Sequence, residues 1–539
     1  MKRRIICLLL CVCISVMLAG CGGSGDATGK LMSYSLTDDP QSLDPQVASD
    51  YNSMLVIQNI YEGLLTKEED GKLSEGVATS YDVSDDKMAY TFHLRSDAKW
   101  MHRYKNDPED GTESYNTPVT AYDFQFAFRR LLNPNTNSPF AANFYCIKNA
   151  KAVHENGLSV DQLGVVAEND TTLTVYLEAP NAMFLELMTT TPAMPCNETF
   201  FNETKGRYGL DLEHTLSNGP FYMKEWSVEH YVRIRQNPVY QSALPTVASG
   251  ANLTIRTSEE ALEALNSDTI DIGILTAKEY SQLSSKDFVS KDFENTVWGL
   301  AFNTERPEWS NQDIRMAFMM SIDRNQYESY LPESTVNTNA VVPSSVKILD
   351  QSYRDLPEST IPNYYNVEQA RQHLQNGLAQ LNLSDINQKE LIVPEEVETL
   401  VQQISQQWQS NLGVYFKITG LSDKEYQQAL KTKNYDCALI SVTNTGSSPE
   451  DILSQFLDGE QVQNSSPAFV QAMNRAESAV SVDDMISACQ QAEQILLSDS
   501  VFLPLYFQKE YFVTRTGVDH LVFDSAGRLI QFKYATKQK

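Results

Sequence analysis

Short strands and amphipathic helices alternate along the whole of this 539-residue chain, and that mixture limits its architecture more than any other feature. Tyr90-Thr91-Phe92-His93-Leu94, Leu173-Thr174-Val175-Tyr176-Leu177 and Tyr231-Val232-Arg233-Ile234-Arg235 alternate like half-buried strands. Helical patterns fall between and after them. Val397, Leu400, Val401, Ile404 and Trp408 share one helix face, with Pro394 before it and Gly413 after it. Met485, Cys489, Ala492 and Leu496 repeat that spacing near the C-terminus. Neither a β-sandwich nor a helical bundle mixes the two periods from end to end, so the pattern predicts an α/β class. At 42% hydrophobic and 10% aromatic the chain can bury a large core, and its length predicts two or three lobes. No internal repeat is visible.

The N-terminus predicts where the chain folds. Lys2, Arg3 and Arg4 precede an apolar run from Ile5 to Leu18, and small residues then stand before Cys21. That is the layout of a secretory signal peptide, and the run is short for a bilayer span of about 20 residues. Leu18-Ala19-Gly20-Cys21 resembles a bacterial lipobox, which implies removal of residues 1–20 and lipid on Cys21. An ordinary signal peptide with an incidental cysteine is the alternative. Gly22-Gly23-Ser24-Gly25 suits a flexible tether over residues 21–30. The expected location is the outer face of the cell membrane.

Charge removes some functions. The net charge is −28, and loss of the basic leader makes the mature chain more acidic still. Such a field repels phosphate backbones, so no nucleic-acid partner is expected. Past Cys21 the cysteines are Cys146, Cys196, Cys437 and Cys489, too scattered for a CxxC metal or redox site. The compartment permits disulfides, yet free buried thiols fit equally well.

No catalytic constellation is present, so the chain is not expected to be an enzyme, and no cofactor or metal is expected. None of the 7 histidines stands in an HExxH motif. Gly157-Leu158-Ser159-Val160-Asp161 lacks the last glycine of a nucleophile elbow. Ser24 to Lys30 fails as a phosphate loop at both its first glycine and its closing hydroxyl residue. Asp85-Asp86 and Glu395-Glu396 are paired acids, but the second pair opens a helix, where negative charge suits the dipole.

A series of collinear segments then becomes informative. Ser42-Leu43-Asp44-Pro45, Tyr61-Glu62-Gly63-Leu64-Leu65 and Ala98-Lys99-Trp100 are followed by Pro118-Val119-Thr120-Ala121-Tyr122-Asp123-Phe124 and Asn218-Gly219-Pro220-Phe221. Asp313-Ile314-Arg315-Met316-Ala317, Tyr435-Asp436-Cys437-Ala438 and Leu503-Pro504-Leu505-Tyr506 come later in the same order. Across residues 33–535 the chain resembles the oligopeptide- and dipeptide-binding proteins of ABC importers, the family 5 extracellular solute-binding proteins. Most of these segments read as core and capping, so they identify the fold better than the cargo.

The resemblance implies a two-lobed periplasmic-binding-protein-like fold of the large peptide-binding type II cluster, with an extra domain inserted in the first lobe. Its expected limits are 31–63, 187–298 and 509–539 for the first lobe, 64–186 for the extra domain, and 299–508 for the second lobe. The polar stretch Asn106 to Asn116 departs from the family pattern and reads as an exposed loop. The implied partners are a peptide or other small solute, the membrane permease with its ATPase subunits, and the membrane itself through lipid. The receptor is expected to be a monomer that closes around its ligand. A non-peptide solute (an oligosaccharide, an opine, a nickel chelate) or a peptide-pheromone sensor role stays open.

By the same resemblance, peptide main chain pairs with Ala48-Ser49-Asp50-Tyr51 and with Ser441-Val442-Thr443, continuing to Asn444 and Thr445. Phe140 stands where peptide binders present an aromatic wall, although it could equally be core. In those binders an arginine, a Gly-Trp pair and an acid that holds the peptide amine follow the Tyr-Asp strand start. Here the positions are Leu439, Ser441-Val442 and Thr445. A buried ammonium needs a charge partner. Asp50, Glu450 or Asp451 could substitute, but the first is expected across the cleft and the others open the next helix, where capping is the commoner role. The substitutions therefore predict blocked, cyclic or internally held peptides, or a non-peptide solute.

Overall fold

A computed structural model of the chain describes residues 29–102, 117–242, 245–284, 286–348, 351–444, 448–459, 461–479, 481–524 and 529–538. The expectations for the leader, for Cys21, for most of the tether and the polar insertion, and for Thr445 lie outside them.

The expected strands form with small shifts of boundary, at Ala89–Leu94, Thr172–Tyr176 and Tyr231–Gln236. The helix on the Val397–Trp408 face runs Glu398–Leu412, and Gly413 stops it at φ 75°, a left-handed backbone that suits glycine. Pro394 is a different matter. It ends the strand Lys389–Pro394, and Glu395–Val397 form a 3-10 turn ahead of the helix, so the paired acids lie just outside it. Thr120 caps Ala121–Leu132 in a reciprocal capping box with Asp123. The thiols of Cys146, Cys196, Cys437 and Cys489 are all free.

An 11-stranded mixed sheet runs through the molecule. At one end Ile272–Leu275, Leu31–Leu36, Gly250–Ile255, Tyr231–Gln236 and Phe221–Ser227 lie side by side in that order. At the other end Cys437–Thr443 is followed by Lys389–Pro394 and Phe416–Leu421. Two long antiparallel neighbours, Phe288–Phe302 and Phe502–Arg515, join the ends. Four antiparallel strands, Ala78–Val83, Ala89–Leu94, Thr172–Tyr176 and Val165–Asn169, form a separate sheet.

Burial divides along the same axis. One large apolar cluster extends from Met32 to Ile272 and takes in Phe512 and Phe532, and it includes the core of the four-stranded sheet. A second extends from Val297 to Phe507 and centres on Trp309, Phe318, Trp408 and Phe416. The fold is therefore two-lobed and mixed α/β, with the long strand pair as its bridge.

That bridge is irregular where it passes from one cluster to the other. The register shifts between Glu294 and Thr296, leaving Asn295 bulged, and shifts again between Trp298 and Gly299. Pro504 is tolerated inside a strand because it faces Gly299 at the second shift. Gly299 itself is obligatory on space, since a Cβ there would meet the Leu503 carbonyl oxygen at 2.5 Å.

Candidate ligand-binding cleft

A cavity of about 1020 Å³ opens between the two clusters, and both contribute its walls. On the first-lobe side, helix Tyr51–Ile60 presents its N-terminal end with Ser49 and Tyr51. Tyr51 is oriented by a 2.8 Å hydroxyl contact with Tyr34. Phe140 precedes the short 3-10 turn Ala141–Phe144 and has one side on the first core and the other in the cavity.

The second-lobe side is built on strand Cys437–Thr443. One edge of it is paired along its whole length with Phe288–Phe302. The other edge pairs with Lys389–Pro394 only at Cys437 and Ala438. From Leu439 to Thr443 no described strand covers that edge, and Ile440, Ser441 and Val442 line the cavity. The free edge is partly terminated by side chains, for Gln455 Nε2 donates to the Thr443 carbonyl at 2.8 Å.

Sequence-selected residues divide accordingly. Ser49, Tyr51, Phe140, Ser441, Val442 and Asn444 line the cavity. Ala48 is buried, and its N–H is spent on the Asp44 carbonyl at 2.9 Å. Asp50 caps the following helix by accepting from Ser53 N at 2.8 Å. Thr443 turns its hydroxyl to Thr296 at 2.9 Å. Asn444 N donates to the Asn295 carbonyl at 2.8 Å, which ties the cavity floor to the bulge of the bridge.

Charged side chains also stand in the wall, Glu450 and Asp451 weighed from the sequence and Lys67, Glu186 and Glu477 missed by it. Lys67 and Glu186 form an ion pair at 2.6 Å with little exposure. Glu450, Asp451 and Glu477 line the second-lobe side. Asp451 serves its helix, accepting from Ser448 N at 2.6 Å and from Ser448 Oγ at 2.9 Å. Burial beside Asp451 and Glu477 pushes the Glu450 carboxyl up to about 8. Glu450 and Asp451 are adjacent in the sequence, but nothing local in it brings Glu477 to them.

The lobes also touch away from the bridge. Ala182 N donates to the Ala479 carbonyl at 3.1 Å, and Asn181 Nδ2 approaches the Glu477 carbonyl at 3.4 Å. Met183 packs on the second core. Asn181, Met183 and Glu477 all line the cavity, so this contact spans the cleft.

A second hollow of about 890 Å³ belongs to the first lobe alone. Its two cations are engaged, Arg95 with Glu62 and Asp97, and Lys533 with Ser242 Oγ at 2.9 Å. Among the described residues no group of histidine, cysteine and acidic side chains could hold a metal ion, and no helix is long and apolar enough to cross a membrane.

Two lobes joined by paired strands around a lined cleft define a solute-binding protein. Residues 72–464 match the bacterial extracellular solute-binding proteins, family 5, and the chain belongs to that family. The oligopeptide-binding protein OppA of Bacillus subtilis (strain 168) is 25% identical over 98% of both chains. The periplasmic murein peptide-binding protein MppA of Escherichia coli (strain K12) is 28% identical, covering 93% of this chain and 92% of its own. The peptide-bound structure of Listeria monocytogenes OppA aligns with a TM-score of 0.72 at 25% identity, over 95% of this chain and 99% of that one.

Proposed function

We propose that this protein is the receptor of an ABC importer, which captures peptides in the interlobe cleft and delivers them to a membrane permease. The observation that carries the reading is the stretch Ile440 to Val442, on a strand edge that no described strand covers beyond Ala438, which faces a cavity of about 1020 Å³. An extended peptide satisfies such an edge with its own main chain, so affinity arises without demands on its side chains. Peptide-named relatives that match nearly the whole chain support the same reading.

Ser49, Tyr51, Phe140, Ser441, Val442 and Asn444 contact the ligand in this reading, while Ala48, Asp50 and Thr443 shape the backbone beneath them. In this reading the lobe limits are 31–63, 187–298 and 509–539 for the first lobe with 64–186 inserted, and 299–508 for the second; the division of the core into two large apolar clusters supports the two-lobe split, with Val297 already in the second. The chain works as a monomer outside the cell membrane, held there by lipid on Cys21. A Cys21→Ala variant then leaves the membrane fraction while its folded domain persists, and retention of that variant in the membrane overturns the anchor. Mass spectrometry of the ligand carried by freshly purified protein tests the function. Peptides are expected, and a sugar, an opine or a metal chelate in their place overturns the reading.

A further inference from the structure

The first-lobe hollow of about 890 Å³ holds a buried cation with no counter-charge. Lys533 stands in its wall at 5% exposure, just past the strand Ile530–Gln531. Its ammonium donates to Ser242 Oγ at 2.9 Å. It lies 4.9 Å from the ring centre of Tyr534 and 5.3 Å from that of Tyr240. Among the described residues no carboxylate forms an ion pair with it. The buried acid that acts on it, Glu62, is spent on the Arg95 guanidinium at 2.5 Å and on the Tyr240 hydroxyl. Asp97 takes the other side of Arg95 at 2.9 Å. Glu68 and Glu75 also line the hollow but are exposed to water.

A lysine that only covers apolar surface lets its ammonium reach solvent. Lys533 does not. Burial pushes its pKa down; Glu62 offsets part of that effect and Arg95 adds to it. The two tyrosine faces attract a cation and Ser242 orients it, yet neither supplies the negative charge that a buried ammonium lacks. The hollow beside it has room for a small molecule. Ser74, Ser80 and Gln241 add hydrogen-bonding side chains to the same wall. Glu68, Glu75 and Asp97 repel anions of high charge, so the wall suits one negative charge and not several.

We infer that the first-lobe hollow is a second binding site, separate from the cleft, which takes a small molecule bearing a single carboxylate and pairs that group with Lys533. The inference does not depend on the peptide reading, because Lys533, Ser242, Arg95 and Tyr534 line the hollow and not the cleft.

Calorimetry with N-acetylglycine as the probe tests it. N-acetylglycinamide is the uncharged match, and citrate is the anion of higher charge. Wild type should bind N-acetylglycine about tenfold or more tighter than either, as expected for one shielded charge pair. Lys533→Met keeps the apolar stem, removes the ammonium and should lose that preference, and its unfolding transition checks that it folds. Ser80→Trp fills the hollow from an exposed wall position and should weaken the probe about tenfold with Lys533 still in place. A cleft that also takes the probe would bind it equally in all three proteins. The inference is overturned if wild type shows no preference for the carboxylate, if citrate binds as tightly, or if folded Lys533→Met keeps the preference. Should Lys533→Met not fold, unchanged probe binding by Ser80→Trp overturns it instead.

Discussion

At the scale of single residues, Glu450 ties stability to pH. Its carboxyl titrates near 4.5 when unfolded and about 8 when folded, so the folded form holds the proton more tightly. That contribution is complete below the lower value, declines as pH rises and is gone above the higher one. Each tenfold difference in proton affinity is worth about 1.4 kcal/mol. Asp123, raised by burial to about 6, acts with the same sign but is spent by pH 6. Thermal melts of ligand-free protein between pH 6 and 8 should therefore show wild type losing stability relative to Glu450→Gln, whereas parallel curves contradict the assignment. Arg130 gives a second residue-level expectation. Its guanidinium spans both oxygens of Asp44 and also donates to Gln46 Oε1 at 2.7 Å, all of them buried. Arg130→Met strands the Asp44 carboxylate and should cost about 3–5 kcal/mol in denaturant unfolding. Gly299→Ala forces a Cβ onto the Leu503 carbonyl, and overpacking of that kind costs about 1–3 kcal/mol by the same measurement.

At the scale of elements, local sequence signals proved strong where an element decides its own fate. The Thr120 and Asp123 capping box, the Gly413 stop and the apolar face of Glu398–Leu412 are set by residues within a turn or two of each other. Pro394 misled because proline suits the last position of a strand as well as the first turn of a helix, and packing chose the strand. The cleft was half legible. The family resemblance, laid on Tyr435-Asp436, pointed to Ser441 and Val442, which line the cavity, yet Asp50 is spent on Ser53 and Ala48 on Asp44. Glu450 looked like an ordinary first-turn acid, because its meaning depends on Glu477 and on a cavity that exists only in three dimensions. The contact of Asn181 and Ala182 with Glu477 and Ala479 was equally invisible, being polar and made by a loop. Removing the Asn181 amide should weaken the closed arrangement by about 1 kcal/mol, the worth of a typical hydrogen bond. Stopped-flow release of a bound peptide from Asn181→Ala is then expected to be about fivefold faster, and an unchanged rate would show that the contact does not hold the lobes together.

At the scale of the whole molecule, the two lobes share a continuous ladder rather than flexible linkers. Rotation about the bulge at Asn295 requires twist in paired strands, not the breaking of an interface. Small-angle scattering should record a smaller radius of gyration when peptide saturates the protein, and identical profiles would exclude closure by that route. The pairing of the bridge strands carries one further consequence. Thr296 and Gln508 face each other across the ladder, so the intervening chain leaves the first lobe and returns to it at neighbouring points. Segments whose ends lie side by side are readily transplanted. The piece from Thr296 to Gln508 is thus a natural cassette, and a relative's cassette grafted at these two positions would bring a foreign strand edge and foreign wall charges to an unaltered first lobe.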